Sequence, residues 1–343
     1  MRITYGPWGE TLAELCDAAR RAERAGAEVV WCPELHRSAT VTAAAMGQAT
    51  QRAQVGTAVA LAFTRSPMIL ALEALDLDEL TGGRFLLGLG TGTRALNERW
   101  HNARFGRPAP HLRETVRNLR ELWANAGSGA PIELAGEYEP IRLRGYRRPF
   151  PQVRPAVPVY LAAMGPALTR LAGEVADGWI SHELCSPAYL RDHAFPRLSD
   201  GLTAGGRQRK ELDVVVSALC AVDTDAARAR RWAAGTIGFY ASVATYRDFF
   251  AFHGFGREQE SVMAAFRAGA GADDLGRAVP EPMVEALTLS GTPDEVRARL
   301  AGYDGLADTV KLTPPTHGVS AEESRACQAQ IIALIADLSG GVQ

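Results

Sequence analysis

The sequence predicts an α/β fold, a (β/α)8 TIM barrel with insertions. Short apolar β-like runs alternate with helical patterns through almost the whole chain. Eight strand–helix units can be counted, and 343 residues suit one such barrel with additions. A doubly wound sheet is the main structural alternative.

The first unit sets a strand at Arg2–Tyr5 before a helix over 12–25 that stops at Gly26. The second strand covers 28–32 and its helix 41–50. The third covers 53–60 and leads to a helix at Pro67–Leu80. Pro67 at that helix start and Thr81-Gly82-Gly83 past its end follow the usual asymmetry of helix termini. Phe85–Gly90 is the fourth strand, and 112–123 reads as its main helix.

Residues 127–157 break the rhythm with Gly, Pro and Arg, and Ile132–Leu134 with 138–143 predicts a hairpin-like excursion. Strands five, six and seven fall at 157–162, 178–182 and 212–222. Residues 225–287 read as a helical insertion, too long for a simple crossover. The eighth strand covers 309–312, and Ala321–Leu338 closes as a helix. No linker, low-complexity tract or repeat interrupts the pattern, so 1–343 is expected to form a single barrel domain.

Composition narrows the function classes. A formal net charge of -2 gives no general attraction to nucleic acid or an anionic membrane. Five scattered cysteines without a C-x-x-C pair argue against a disulfide framework or a zinc site, so no metal is expected. The start, MRITYGPWGETL, lacks the pattern of a signal peptide, and no apolar run reaches membrane-spanning length. The expectation is a reduced, cytoplasmic protein acting on a small molecule.

The stretch "GRFLLGLGTGTRALNERW" (83–100) runs a strand into a glycine turn. Gly88-Leu89-Gly90-Thr91-Gly92 does not complete G-x-G-x-x-G, and no acidic residue ends a clear next strand to hold a ribose. A nicotinamide Rossmann site is therefore disfavoured. In a barrel the turn lies at the carboxyl end of a strand, where active sites form. Ala162, Ala163, Met164 and Gly165 follow the fifth strand and open a helix. Small residues there admit an anion to a helix N-terminus.

Residues 56–92, "GTAVALAFTRSPMILALEALDLDELTGGRFLLGLGTG", resemble the central signature of the luciferase-like monooxygenase superfamily. The resemblance is strongest to the branch that uses the deazaflavin coenzyme F420. Arg65-Ser66-Pro67, Leu75-Asp76, the Leu80-to-Phe85 turn and Gly88-Leu89-Gly90 fall in the expected order. Ala95-Leu96-Asn97-Glu98 is similar to the corresponding segment of the deazaflavin-dependent glucose-6-phosphate dehydrogenase. Segments 161–182, 239–256 and 290–310 resemble the family as well.

The resemblance implies a cis peptide at Ala58–Val59 against the deazaflavin ring. It implies that Leu61, Gly90, Thr91, Gly92, Asn97, Ala162, Ala163, Met164 and Gly165 line the cofactor pocket. In Trp31-Cys32-Pro33-Glu34-Leu35-His36, Glu34 matches the family's acid near the ring, while His36 stands one place beyond the usual histidine. Both are candidates for proton transfer. Pro33 cannot donate a ladder hydrogen bond, so the strand should end there. Trp31 and the cofactor would desolvate Glu34 and favour its protonated form. Arg94 and His182 are substrate candidates.

The implied activity is hydride transfer between deazaflavin C5 and a small organic or natural-product substrate, as an F420H2-dependent reductase. An FMN-dependent monooxygenase and a non-catalytic cofactor-binding barrel are the alternatives. A homodimer is also implied, with Leu72 and Leu75 as candidate interface residues.

Overall fold

The computed structural model describes residues 1–340. Its strands are β1 (Arg2–Tyr5), β2 (Val29–Cys32), β3 (Gln54–Thr57), β4 (Ala60–Leu61), β5 (Phe85–Gly90), β6 (Ile132–Leu134), β7 (Ile141–Leu143), β8 (Val159–Ala162), β9 (Gly178–Ile180), β10 (Asp213–Val222), β11 (Leu289–Gly291) and β12 (Thr309–Thr313). The fold class is α/β, a (β/α)8 barrel of parallel strands. The chain divides into two compact bodies, 1–28 with 182–193 and 215 onward, and 29–181 with 194–214.

In the first body the strand order is β11-β10-β12-β1, all parallel. Lys311 lies opposite both Thr4 and Ser217. The alternation of the strands separates two faces. Tyr5 Oη donates to Gln328 Oε1 of the closing helix Ala321–Leu338 at 2.9 Å, so odd-numbered Ile3 and Tyr5, with Val310 and Leu312, belong to the helix-facing side. Thr4, Lys311 and Ser217 therefore share the opposite, interior side. Helix Leu12–Arg24 begins at Thr11, whose side chain accepts the Glu14 N–H, and buries Leu15, Ala18, Ala19 and Ala22 at the spacing of one helical face.

In the second body the order is β2-β3-β5-β8-β9, with β4 beside β5. Helix Pro67–Leu80 starts with proline at its first turn and Ser66 capping the Ile69 N–H. Buried Asp78 is bound by Arg154, which also donates to the Phe85 carbonyl. β6 and β7 pair antiparallel outside the parallel sheet, Ile132 opposite Leu143.

The sixth strand ends at Ile180 rather than 182 and the hairpin's second strand is Ile141–Leu143 rather than 138–143, and three larger differences from the sequence expectation follow. The run 53–60 is not one strand: β3 stops at Thr57, and β4 resumes at Ala60 after a cis peptide between Ala58 and Val59. The region 187–204 supplies helical turns at Pro187–Tyr189, Leu190–Ala194 and Phe195–Ala204, unmarked by clear periodicity. β11 was absent from the expected eight; it is only three residues long and pairs with the far end of β10, Cys220 opposite Leu289. Between β10 and β11 lie helices Ala226–Ala241, Arg247–Phe252, Gly256–Arg267 and Glu281–Leu287.

Candidate active site

In the second body the ends of β2, β4, β5 and β8 bring most of the expected residues together. Two backbone hydrogen bonds frame the cis peptide: Ala58 N–H donates to Cys32 O at 2.8 Å, and Glu34 N–H donates to Val59 O at 3.0 Å. The Glu34 carboxylate then accepts the Leu61 N–H at 2.8 Å and the Ala39 N–H at 3.3 Å. It also takes two bonds from Arg65, at 2.5 and 2.7 Å. Arg65 Nε faces Glu73 at 3.2 Å. Glu34 thus ties both sides of the irregular segment to the start of helix Ala39–Ala49.

This corrects the expectation of a protonated Glu34. Burial pushes its pKa up, but the Arg65 hydrogen bonds and charge, with the Leu61 and Ala39 N–H groups, outweigh burial and lower it. Trp31 is turned elsewhere: its ring meets Tyr160 edge-on at 5.7 Å and covers Gly56, where a Cβ would overlap the indole. His36 is exposed.

The glycines of β5 serve close approach. Thr57 Oγ1 donates to Gly88 O at 2.7 Å and accepts the Gly88 N–H at 2.9 Å, and a Cβ at position 88 would overlap the Thr57 carbonyl. A Cβ at Gly90 would overlap the Val59 side chain, so Val59 rests directly on this glycine. Leu61 lies opposite Gly90, and Leu89 opposite Leu161, which sets Ala162 at the neighbouring strand end. Gly92 has φ of 61°, a left-handed conformation that favours glycine.

Asn97 fastens the turn beyond. Its Nδ2 donates to Thr91 O at 2.7 Å and Thr93 O at 2.9 Å, while its fully buried Oδ1 has no hydrogen-bond partner. Thr91 Oγ1 bonds within the turn to Gly92 O. Arg94 is exposed and occupied by its own loop, bonding Glu98 at 2.7 Å and Gly106 O at 3.0 Å. No bond holds it toward the strand ends.

After β8, Ala163 accepts the Trp179 indole N–H at 2.9 Å, and Ala162 and Met164 are half-buried. Gly165 caps helix Pro166–Val175 with no side-chain bond to the first turn. The first intrahelical bond runs from Thr169 N–H to Gly165 O, so the Ala167 and Leu168 N–H groups have no carbonyl of the helix to meet. A Cβ on Gly165 would meet nothing within 4 Å. The turn thus offers open space before the positive end of a helix.

His182 lies in the first body. Its Nδ1 accepts the Leu184 N–H at 3.2 Å, which assigns the ring proton to Nε2. Tyr240 and Tyr246 crowd the ring, with centroids at 4.4 and 4.8 Å. Burial, with a smaller push from Lys311 and against the pull of Glu183, lowers the His182 pKa to about 4. It is a neutral imidazole at pH 7.

Sequence reasoning missed Arg65 as the partner of Glu34, and it missed the buried Lys311, whose Nζ lies 3.6 Å from Glu183 Oε1. One signal for Lys311 was present: the chain has two lysines, Lys210 and Lys311, and the second interrupts an apolar strand.

Comparison with known proteins adds the family. The profile of the luciferase-like monooxygenase family matches residues 2–309. The chain belongs to that family. It is 32% identical over 304 residues to an uncharacterised protein of Mycobacterium tuberculosis, covering 87% of this chain and 89% of the relative. It is 36% identical over 256 residues to a protein of Nakamurella multipartita named F420-dependent glucose-6-phosphate dehydrogenase, covering 67% and 69%. The solved structure of a coenzyme F420 dependent tetrahydromethanopterin reductase from Methanopyrus kandleri superposes with a TM-score of 0.78 at 20% identity, covering 98% of each chain. The two chains share one fold along nearly their whole length. Among the described residues, no helix is long and apolar enough to cross a membrane. No group of three or more His, Cys, Asp or Glu side chains there is arranged to hold a metal.

Proposed function

We propose that this luciferase-like protein is a coenzyme F420-dependent oxidoreductase. It transfers hydride between the deazaflavin C5 and a small organic substrate, working as an F420H2-dependent reductase. The observation that carries the reading is the strand-end cradle. Val59 on its cis bulge rests on Gly90, Glu34 and Arg65 hold the bulge, and open space lies before the helix at Gly165. The donor set fits a flat ring with a phosphate-bearing tail, and the relatives named for F420 support that choice.

When bound, F420 supplies a two-electron hydride couple; the protein supplies position and exclusion of water. The Ala58–Val59 bulge and Leu61 would hold the ring. Gly90, Thr91, Gly92 and Asn97 would wall the pocket, Asn97 with its unpaired Oδ1. The N–H groups after Ala162, Ala163, Met164 and Gly165 would take the phosphate. Glu34 acts as a positioning residue rather than a proton donor, since its carboxylate is committed to Arg65 and two N–H groups. We further propose a cytoplasmic homodimer. Leu75 is not its contact, because that side chain is buried within the subunit.

Titration of the purified protein with F420, FMN and NADPH, read by ligand fluorescence, tests the assignment. F420 should bind at least about tenfold, or 1.4 kcal/mol, more tightly than the others. Equal or tighter binding of FMN would instead favour oxygen chemistry.

A further inference from the structure

The turn that follows β4 is anchored by residues of the excursion hairpin, all within the second body. Leu61 and Arg65 both bond Glu34 and shape the proposed cradle, and Phe63 stands midway between them in sequence. Within the turn, Ala62 N–H donates to Gly90 O at 2.9 Å and Thr64 Oγ1 donates to Leu61 O at 3.2 Å. The Phe63 side chain is buried. Its ring stacks on His111 with centroids 3.8 Å apart and planes 2° from parallel, and it meets Phe105 edge-on at 5.7 Å. Tyr138 stacks on the opposite face of His111 at 4.6 Å and 15°. Three flat side chains thus form one column from the β4 turn to the loop between β6 and β7.

Helix Pro108–Asn125 builds this column. Its His111, Glu114 and Asn118 are spaced three and four positions apart and share one face. His111 is 2% exposed, and both ring nitrogens are held. Nδ1 donates to Phe105 O at 3.1 Å, since a carbonyl only accepts, and Nε2 lies 2.9 Å from Glu139 Oε1. The Glu114 carboxylate accepts the N–H groups of Glu137, Tyr138 and Glu139, each at 3.0 Å. Asn118 Nδ2 donates to Glu139 O at 2.6 Å. Tyr138 Oη accepts the Arg107 N–H at 3.2 Å, and a Cβ on Gly106 would overlap the Tyr138 ring. The helix therefore grips the hairpin loop by its backbone, and the loop delivers Tyr138 to the imidazole.

Ordering a surface loop costs conformational entropy, and the four hydrogen bonds from Glu114 and Asn118 offset it. Two neighbouring rings keep His111 from tilting, and two polar contacts keep it from turning in its own plane. Phe63 therefore rests on a fixed, flat surface. The turn that carries Leu61 and Arg65 is held at its ends by Glu34 and at its middle by the column.

We infer that Phe63 is a positioning residue for the proposed cofactor, and that the excursion hairpin acts on that cofactor through the Tyr138–His111–Phe63 column. The inference rests on the F420 reading above. Leu61 packs into the cradle: a Cβ on Gly92 would fall 2.9 Å from its side chain. Loss of the Tyr138 ring frees one face of His111. The imidazole then tilts, Phe63 follows it, and Leu61 and Arg65 leave their fixed places. The column acts through these two residues, so it governs how tightly the cofactor is held.

The test measures F420 affinity of the full-length protein by fluorescence quenching, with thermal melting to show that each variant is folded at the assay temperature. Tyr138→Ala should weaken F420 binding by about fivefold or more. Tyr138→Phe keeps the stacked ring and should keep wild-type affinity. Phe63→Leu stays apolar but loses the flat face, and should weaken binding by a similar factor. In the double variant Tyr138→Ala with Phe63→Leu the two losses should not add, because Tyr138 acts through Phe63. Leu15→Ala, a cavity variant in helix Leu12–Arg24, should lower the melting temperature and leave F420 affinity unchanged. Wild-type affinity in a folded Tyr138→Ala overturns the inference. So does a loss in Tyr138→Phe equal to that in Tyr138→Ala, or full additivity in the double variant. An equal loss in Leu15→Ala assigns the effect to general stability and overturns it as well. Should Phe63→Leu not fold, the contrast of Tyr138→Ala with Tyr138→Phe decides. A wild type that binds no F420 fails at the earlier reading, and the inference falls with it; F420 binding that none of the column variants alters fails here alone.

Discussion

Glu34 and Arg65 are joined by two short hydrogen bonds, 2.5 and 2.7 Å, and the same carboxylate holds the Leu61 N–H beyond the cis peptide. Side chains from two successive barrel units thereby determine the shape of the proposed cofactor support. Glu34→Gln keeps the size but loses the charge and one acceptor oxygen. F420 affinity should fall about tenfold or more, in line with about 1.5–3 kcal/mol for a hydrogen bond to a charged group. Turnover at saturating cofactor should largely survive. Quenching titrations and steady-state rates check this; wild-type affinity with lost turnover would restore Glu34 as a proton donor.

The same ion pair sets an acid limit on stability. The Glu34 pKa is lowered in the folded protein from its ordinary 4.5. Its stabilising contribution is complete above that ordinary value and is lost as pH falls from there through the lower folded value. Denaturant melts of wild type and Glu34→Gln should therefore converge at the acid end of this window. A difference that persists unchanged to low pH would assign the stability to packing.

His182 contributes a second, separate pH dependence. Its folded pKa is lowered from 6.5 to about 4, so the unfolded chain binds the proton more readily. Stability should begin to fall as pH drops through 6.5 and stop falling below about 4, by up to about 3 kcal/mol in all. In His182→Asn that slope should disappear, whatever the variant's stability at neutral pH.

Val59 and Gly90 form a single packing unit. Gly90→Ala places a methyl group on the Val59 side chain and should cost about 1–3 kcal/mol through overpacking. Val59→Ala in the same chain should recover much of that loss. A double-mutant cycle by denaturant unfolding measures the coupling; additive effects would separate the two residues.

Gly165 separates folding from cofactor affinity. A Cβ there has open space, and the backbone is extended at φ -73°, so substitution by aspartate carries no steric penalty. Gly165→Asp should preserve the melting temperature, because an acidic group suits a helix N-terminus. Its charge should nevertheless repel the proposed phosphate and weaken F420 binding by about tenfold or more. Unchanged binding would move the phosphate elsewhere.

The sequence by itself determined the barrel's repeating order and the positions where chain and ligand must come close. Apolar runs separated by helical patterns mark the strands, because alternation and helical periodicity are local properties. Gly88, Gly90 and Gly92 and the small residues after β8 are legible for the same reason: a close approach excludes a side chain wherever the partner lies in sequence. The order of motifs from 56 to 92 carried the family and the location of the Ala58–Val59 bulge. Tertiary structure alone decided which charges meet. Arg65 reaches Glu34 across 31 positions, and Lys311 lies 128 positions beyond Glu183. The state of Glu34 reverses because an arginine and two backbone donors offset burial that the local sequence, with its neighbouring Trp31, could only suggest. Electrostatics depends on distance in space rather than along the chain, so Glu34 acquires its lowered pKa only after the chain has folded.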